Sequence, residues 1–151
     1  MDQIEVLWVD DEIEMLRPHF LFLEERGYSV TPCTNGQDAL DLIDNKNYEI
    51  ILLDENMPGL NGLETLDHIK SKKPLLPVIM ITKNEEESIM DDAIGAKISD
   101  YLIKPVNPHQ ILLSLKKVLD HKNLIDKKTT QNYQKEFGKL SASLNSLATY
   151  K

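Results

Sequence analysis

Five side chains in this chain are of the types that handle phosphate groups and hard metal ions: Asp10, Asp11, Asp54, Thr82 and Lys104. Each follows a short apolar stretch. VLWV runs into Asp10 and Asp11, IILL into Asp54, VIMI into Thr82, and DYLI into Lys104 and Pro105. Three carboxylates brought together repel one another and raise each other's pKa, a problem that a divalent cation removes. Mg2+ prefers one or two carboxylates, water and phosphate oxygens. A lysine beside such a site supplies a point charge for a phosphoryl group, and a threonine supplies a hydrogen-bond donor. A carboxylate can itself accept the phosphoryl group as an aspartyl phosphate. The residue types therefore predict Mg2+-assisted phosphoryl transfer onto Asp54. Acids and hydroxyls at strand ends are common one at a time; their joint appearance at successive strand ends carries the argument.

The elements that must position them follow from the apolar pattern. Apolar runs at 6–9, 50–53 and 78–81, with the segments 28–33 and 100–103, predict five strands, the one at 50–53 buried on both faces. Between them, apolar residues recur at helical spacing: Ile13, Leu16, Phe20 and Leu23; Ala39, Leu40 and Ile43; Leu63, Leu66 and Ile69; the stretch 85–96; and Ile111, Leu112, Leu115, Val118 and Leu119. Pro18 lies within the first of these, so that helix either starts late, with Pro18 in its first turn, or is kinked there. Asn107 is suited to cap the last, with Pro108 at its first position. Five β-α units in strict alternation predict an α/β, flavodoxin-like three-layer sandwich around a parallel five-stranded sheet. In such a sheet ligands bind outside the carboxyl ends of the strands, which is where all five polar residues fall.

Composition narrows the class. At 151 residues and 41% hydrophobic, the chain has enough material for one domain with a sizeable core and a small appendage. No apolar run approaches the ~20 residues of a membrane span, and the first residues enter a strand pattern without the basic region and apolar core of a signal peptide. Cys33 is the sole cysteine, which excludes an internal disulfide and fits a reducing cytoplasm. His19, His68, His109 and His121 share no ligand spacing that would suit structural zinc. Trp8 and the methionines read as core or edge packing. The net charge of −8 argues against nucleic-acid binding by the chain. That charge is uneven: residues 1–120 hold 11 Lys/Arg against 23 Asp/Glu, and residues 121–151 hold 6 against 2. The sign changes near an expected boundary between a domain over 1–121 and a helical extension over 122–151. In the extension Tyr133, Phe137, Leu140, Leu144 and Leu147 are spaced 4, 3, 4 and 3, an apolar seam of about two heptads. Such a seam either folds back on its own domain or pairs with a second chain or a downstream region. Its lysines read as the solvated face, and its length is too short for the usual helix-turn-helix module, so no direct DNA contact is expected.

The set VDDE, LLDENMPGLNGLE, MIT and DYLIKP resembles the receiver domain of two-component response regulators. The resemblance implies that a sensor histidine kinase donates a phosphoryl group to Asp54. It implies Mg2+ bound by Asp11, Asp54 and the backbone carbonyl of Asn56, with Asp10 acting largely through water. It implies Thr82 and Lys104 at the phosphoryl oxygens, a cis peptide before Pro105, and Tyr101 as a switch aromatic. The chain would be a signalling acceptor rather than an enzyme, with only self-phosphorylation and autodephosphorylation chemistry. Three positions depart from the pattern. Glu55 stands where an apolar residue is usual, Lys83 where a small one is usual, and Lys97 where glycine is frequent. The arginine pairs by which some receivers dimerise have no counterpart here, since Arg17 and Arg26 are the only arginines.

A narrower likeness, carried by DENMPGLNGLETL, MITKNEEESIM, DYLIKPVNPHQILLSLKK and TTQNYQKEF, is to the PorX-type regulators of Bacteroidetes. In these a receiver and a helical linker precede a domain of the alkaline-phosphatase superfamily tied to type IX secretion. On that reading the chain is a receiver and the start of its linker. Two other classes fit less well. A phosphatase of the haloacid dehalogenase class also uses an aspartate, Mg2+, a hydroxyl and a lysine, but places its nucleophile on the first motif strand and its acidic pair last. A flavodoxin-like cofactor binder would need a phosphate-cradling loop that is missing here.

Overall fold

In a computed structural model the described residues are 3–83 and 95–125. Five strands form one sheet in the order β2-β1-β3-β4-β5, every neighbouring pair parallel. They are β1 (Ile4–Val9), β2 (Tyr28–Cys33), β3 (Ile50–Asp54), β4 (Val78–Thr82) and β5 (Asp100–Ile103). This is the flavodoxin-like order. β3 and β4, in the middle of the sheet, are buried at every position. That explains why their sequences are unbroken apolar runs rather than alternating ones.

Strand alternation divides the core in two. Leu7, Val9, Ile51, Leu53, Val78 and Met80 face one way and pack with Ala39, Leu40 and Ile43 of α2 (Gly36–Asn45) and with Leu66 and Ile69 of α3 (Gly62–Lys72). Their neighbours Val6, Trp8, Ile50, Leu52, Ile79 and Ile81 face the other way and are equally buried. On that side the Trp8 ring meets Phe20 of α1 (Arg17–Glu24) edge-on at 5.3 Å. Among the described residues a further helix, α4 (108–125), buries Ile111, Leu112, Leu115 and Val118.

The alternatives at Pro18 are decided. Residues Ile13–Leu16 form a 3-10 turn, and α1 begins only at Arg17 with Pro18 in its first turn. Proline there loses no hydrogen bond, whereas inside a longer α-helix its ring would meet the preceding turn. Met15, in the 3-10 turn, is 74% exposed, which corrects the expectation that the methionines are packing residues. The other helix starts are set by side chains. Asn35 Oδ1 accepts from Asp38 N–H at 2.8 Å. Asn61 and Glu64 form a reciprocal capping box. Asn107 and Gln110 exchange two side chain–backbone bonds of 2.9 Å at the start of α4.

β2 is an outer strand. The carbonyls of Gly27 and Cys33 accept from Ile4 and Asp10 N–H on β1, so both point inward. Pro32, one residue out of that phase, turns its ring nitrogen to the open edge. At the other side β5 is four residues long. The chain divides into the units Met1–Val118 and Leu119–Lys151. The helix expected over 85–96 falls, but for its last two residues, outside the described residues, as does the seam at 133–147. Among the described residues no helix is long and apolar enough to cross a membrane.

Candidate functional site

The register places the chemistry. Val9 lies beside Leu53, Asp54 beside Ile81, and Thr82 beside Ile103. The strands therefore run out together, and the residues just beyond meet above one sheet edge.

Asp10 continues β1, its N–H donating to Cys33 O at 2.9 Å, and is only 1% exposed. Its Oδ1 accepts from Glu12 N–H at 2.8 Å. Asp11 is exposed at the turn. Asp54, also 1% exposed, is the last residue of β3, and its Oδ1 accepts from Asn56 N–H at 3.1 Å. Lys104 N–H donates to Thr82 O, extending the ladder between β4 and β5. Its Nζ then reaches between the two buried acids, 3.1 Å from Asp10 Oδ2 and 3.3 Å from Asp54 Oδ2. The Lys104–Pro105 peptide is cis.

Asp10, Asp11 and Asp54 each bring one carboxylate oxygen into a group lying within 4.8 Å of one another. Three hard oxygen donors at this spacing fit a small divalent cation. The electrostatics point the same way. Burial first, and the charge of Asp10 second, push the Asp54 carboxyl up to about 6, against the pull of Asn56 N–H and Lys104. Burial alone would lower the Lys104 ammonium, but its hydrogen bonds and charge pairing with Asp10 and Asp54 outweigh that and raise it. The lysine is thus held fully charged yet does not balance the acids, which is the condition a bound cation relieves.

Thr82 is fully buried at the end of β4, and its hydroxyl donates to Glu55 Oε2 at 2.5 Å. Tyr101 lies three residues before Lys104 on the edge strand, paired with Met80 and 40% exposed. Lys83 Nζ lies 3.8 Å from Glu12 Oε1, both side chains being about half exposed. Lys97 pairs with Asp67 across an exposed surface.

Two contacts were not visible in the sequence. One is the hydrogen bond from Thr82 to Glu55. The other joins His19 Nε2 and Val106 O, 2.8 Å apart across 87 residues of sequence. His19, Met15, Pro105 and Val106 line a hollow of about 400 Å3 that opens beside Asp10 and Lys104. No short-range pattern announces a pairing of that separation.

The parallel sheet and the acidic cluster above its edge agree with the receiver resemblance. The response regulator receiver domain family matches residues 6–116, and the chain belongs to that family. It is 35% identical over 118 residues to the transcriptional regulatory protein ResD of Bacillus subtilis, covering 78% of this chain and 49% of ResD. It is 31% identical over 142 residues to the transcriptional regulatory protein ZraR of Klebsiella oxytoca, covering 94% of this chain and 32% of ZraR. The chain thus spans a third to a half of the length of these curated relatives. A CheY-like receiver domain protein from Methanospirillum hungatei superposes with a TM-score of 0.75 at 28% identity, covering 81% of this chain and 98% of its own. The regulator TrrA of Thermotoga maritima, solved in complex with Mg2+ and beryllofluoride, gives 0.68 at 29% identity, covering 77% and 99%. The phosphatase alternative is not favoured: the acidic pair precedes Asp54 in the chain, and the receiver family matches residues 6–116.

Proposed function

We propose that this receiver accepts a phosphoryl group on Asp54 from a sensor histidine kinase. The observation that carries the reading is the meeting of Asp10, Asp11, Asp54 and Lys104 above one sheet edge. A carboxylate oxygen of Asp54 forms the new P–O bond as the P–N bond of the donor phosphohistidine breaks and its nitrogen leaves with the electron pair. Asp10, Asp11, Asp54 and the backbone carbonyl of Asn56 would hold Mg2+, which neutralises charge on the acids and on the incoming oxygens. Lys104 supplies a fixed positive charge within reach of the acceptor, and Thr82 a hydroxyl for a phosphoryl oxygen. Tyr101 follows Thr82 as the switch aromatic, moving on the edge strand. That TrrA was solved in complex with Mg2+ and beryllofluoride supports the cation assignment.

The test is intact mass after incubation with acetyl phosphate and Mg2+, beside Asp54→Ala. One phosphoryl added to the natural chain, and none without Mg2+ or Asp54, supports the reading. No adduct under any condition overturns it.

The wider assignment is to the PorX type, acting in the cytoplasm. On it, the receiver domain ends near 121, and the extension over 122–151 carries the signal onward by pairing with a second copy or repositioning an output domain in type IX secretion. Support comes from the run DENMPGLNGLETL and from the change of charge sign after residue 120. The names of the curated relatives concern transcription, which the charge argument against DNA binding does not exclude. Light scattering before and after phosphorylation tests the pairing: a doubled mass with phosphoryl on Asp54 supports it, and an unchanged mass counts against it.

A further inference from the structure

The acidic residue after Asp54 is tied into the site. Glu55 N–H donates to Ile81 O at 2.9 Å, so the residue runs on beside the end of β4. Its carbonyl accepts from Gly62 N–H at 2.9 Å, and a Cβ on Gly62 would lie 2.5 Å from Glu55 Cα. The backbone of Glu55 is therefore gripped from both sides, and its carboxylate falls on the hydroxyl of Thr82.

We propose that Glu55 is a positioning residue that latches Thr82 in the unphosphorylated receiver, so that phosphorylation has to break the Thr82–Glu55 hydrogen bond. The inference rests on the reading of Asp54 as acceptor and Thr82 as a phosphoryl contact. A hydroxyl has one hydrogen to donate. Thr82 gives it either to Glu55 or to a phosphoryl oxygen, never to both. A bond to a carboxylate is about twice as strong as one between neutral groups. The fully buried Thr82 makes this bond where water competes poorly. An apolar side chain at position 55 would remove this competitor for the hydroxyl. Glu55 thus raises the threshold at which the domain enters its phosphorylated conformation and draws Thr82 back when the phosphoryl group leaves.

The test is a double-mutant cycle on the full chain, read as the dissociation constant of beryllofluoride at saturating Mg2+ by calorimetry. Steady-state phosphorylation by acetyl phosphate is followed by mass in parallel. Glu55→Met should tighten beryllofluoride binding about tenfold, the worth of one charge-assisted hydrogen bond, with Glu55→Gln in between. In a Thr82→Ala background the same Glu55 substitutions should change it by less than about twofold, since nothing is left to latch. Equal effects in both backgrounds would assign Glu55 to charge repulsion alone and overturn the latch, as would no effect in either. Asp54→Ala separates the two levels. If the natural chain is phosphorylated on Asp54 and Glu55→Met behaves like it, only the latch fails. If the natural chain takes neither ligand, the acceptor reading fails and the latch with it.

Discussion

Lys104 Nζ stands 3.3 Å from Asp54 Oδ2, yet this one cation leaves the acid at a pKa of about 6. Burial outweighs the pairing. In the folded chain Asp54 holds its proton more tightly than in the unfolded chain, whose value is near 3.8. The stability it contributes is complete below about pH 4 and is lost as pH rises through about 6. Asp54→Asn carries no charge at any pH. In buffer free of divalent cations it should be more stable than the natural chain at pH 7, by up to about 3 kcal/mol for a shift of some two pKa units. The advantage should vanish near pH 4. Urea denaturation at the two pH values decides it, and an equal gap at both would be the contrary result.

The same titration governs uptake. The acceptor must be ionised to attack phosphorus, so phosphorylation by acetyl phosphate at limiting Mg2+ should fall as pH drops through about 6, the value to which Asp54 is raised. Saturating Mg2+ should move the inflection to lower pH by favouring the ionised acid. Initial rates by mass from pH 5 to 8 check both; an inflection indifferent to Mg2+ would separate the cation from Asp54.

Lys104→Met should act in opposite directions on stability and metal binding. It leaves Asp10 and Asp54 buried side by side without their shared cation. Loss of one partner of a buried pair costs about 3–5 kcal/mol when the remaining charge persists, and less here because Asp54 can protonate instead. The variant should also bind Mg2+ several-fold more tightly, because a competing positive charge has gone. Thermal shift against Mg2+ concentration measures both, and weaker Mg2+ binding would contradict the geometry.

Gly62→Ala tests the backbone that carries the acceptor. Its Cβ would press on the Asp54 carbonyl oxygen and on Glu55 Cα, both main-chain atoms that cannot swing aside. A loss of about 1–3 kcal/mol is expected, the usual cost of overpacking. Phosphorylation should slow as Asp54 shifts. A variant as stable as the natural chain would mean that the loop from Glu55 to Gly62 yields easily.

The candidate site is legible because Asp54 and Thr82 end strands buried on both faces, whose apolar runs are unbroken, and Asp10 and Lys104 follow the strands beside them. Asp10, Asp54, Thr82 and Lys104 could be placed on one edge without knowing the register. The sequence leaves the start of α1 open between two positions, because Ile13 and Leu16 keep helical spacing even in a 3-10 turn. The partner of Thr82 was hidden for another reason. Glu55 stood out as an unusual neighbour of Asp54, but which way its side chain turns depends on the pairing of its backbone with β4. The contact of His19 with Val106 depends on two segments that only the finished sheet brings together.

Pro32 has a consequence for the chain as a colloid. An outer strand of a sheet offers main-chain donors and acceptors to any passing strand, the route by which folded domains stack into aggregates. Here that outer row lacks a donor at position 32, where the ring nitrogen faces solvent and carries no hydrogen. A neighbouring copy adding itself to β2 would leave one of its own carbonyls unmatched. The proline thus removes one rung from any strand that would pair with β2 and disfavours stacking on that side.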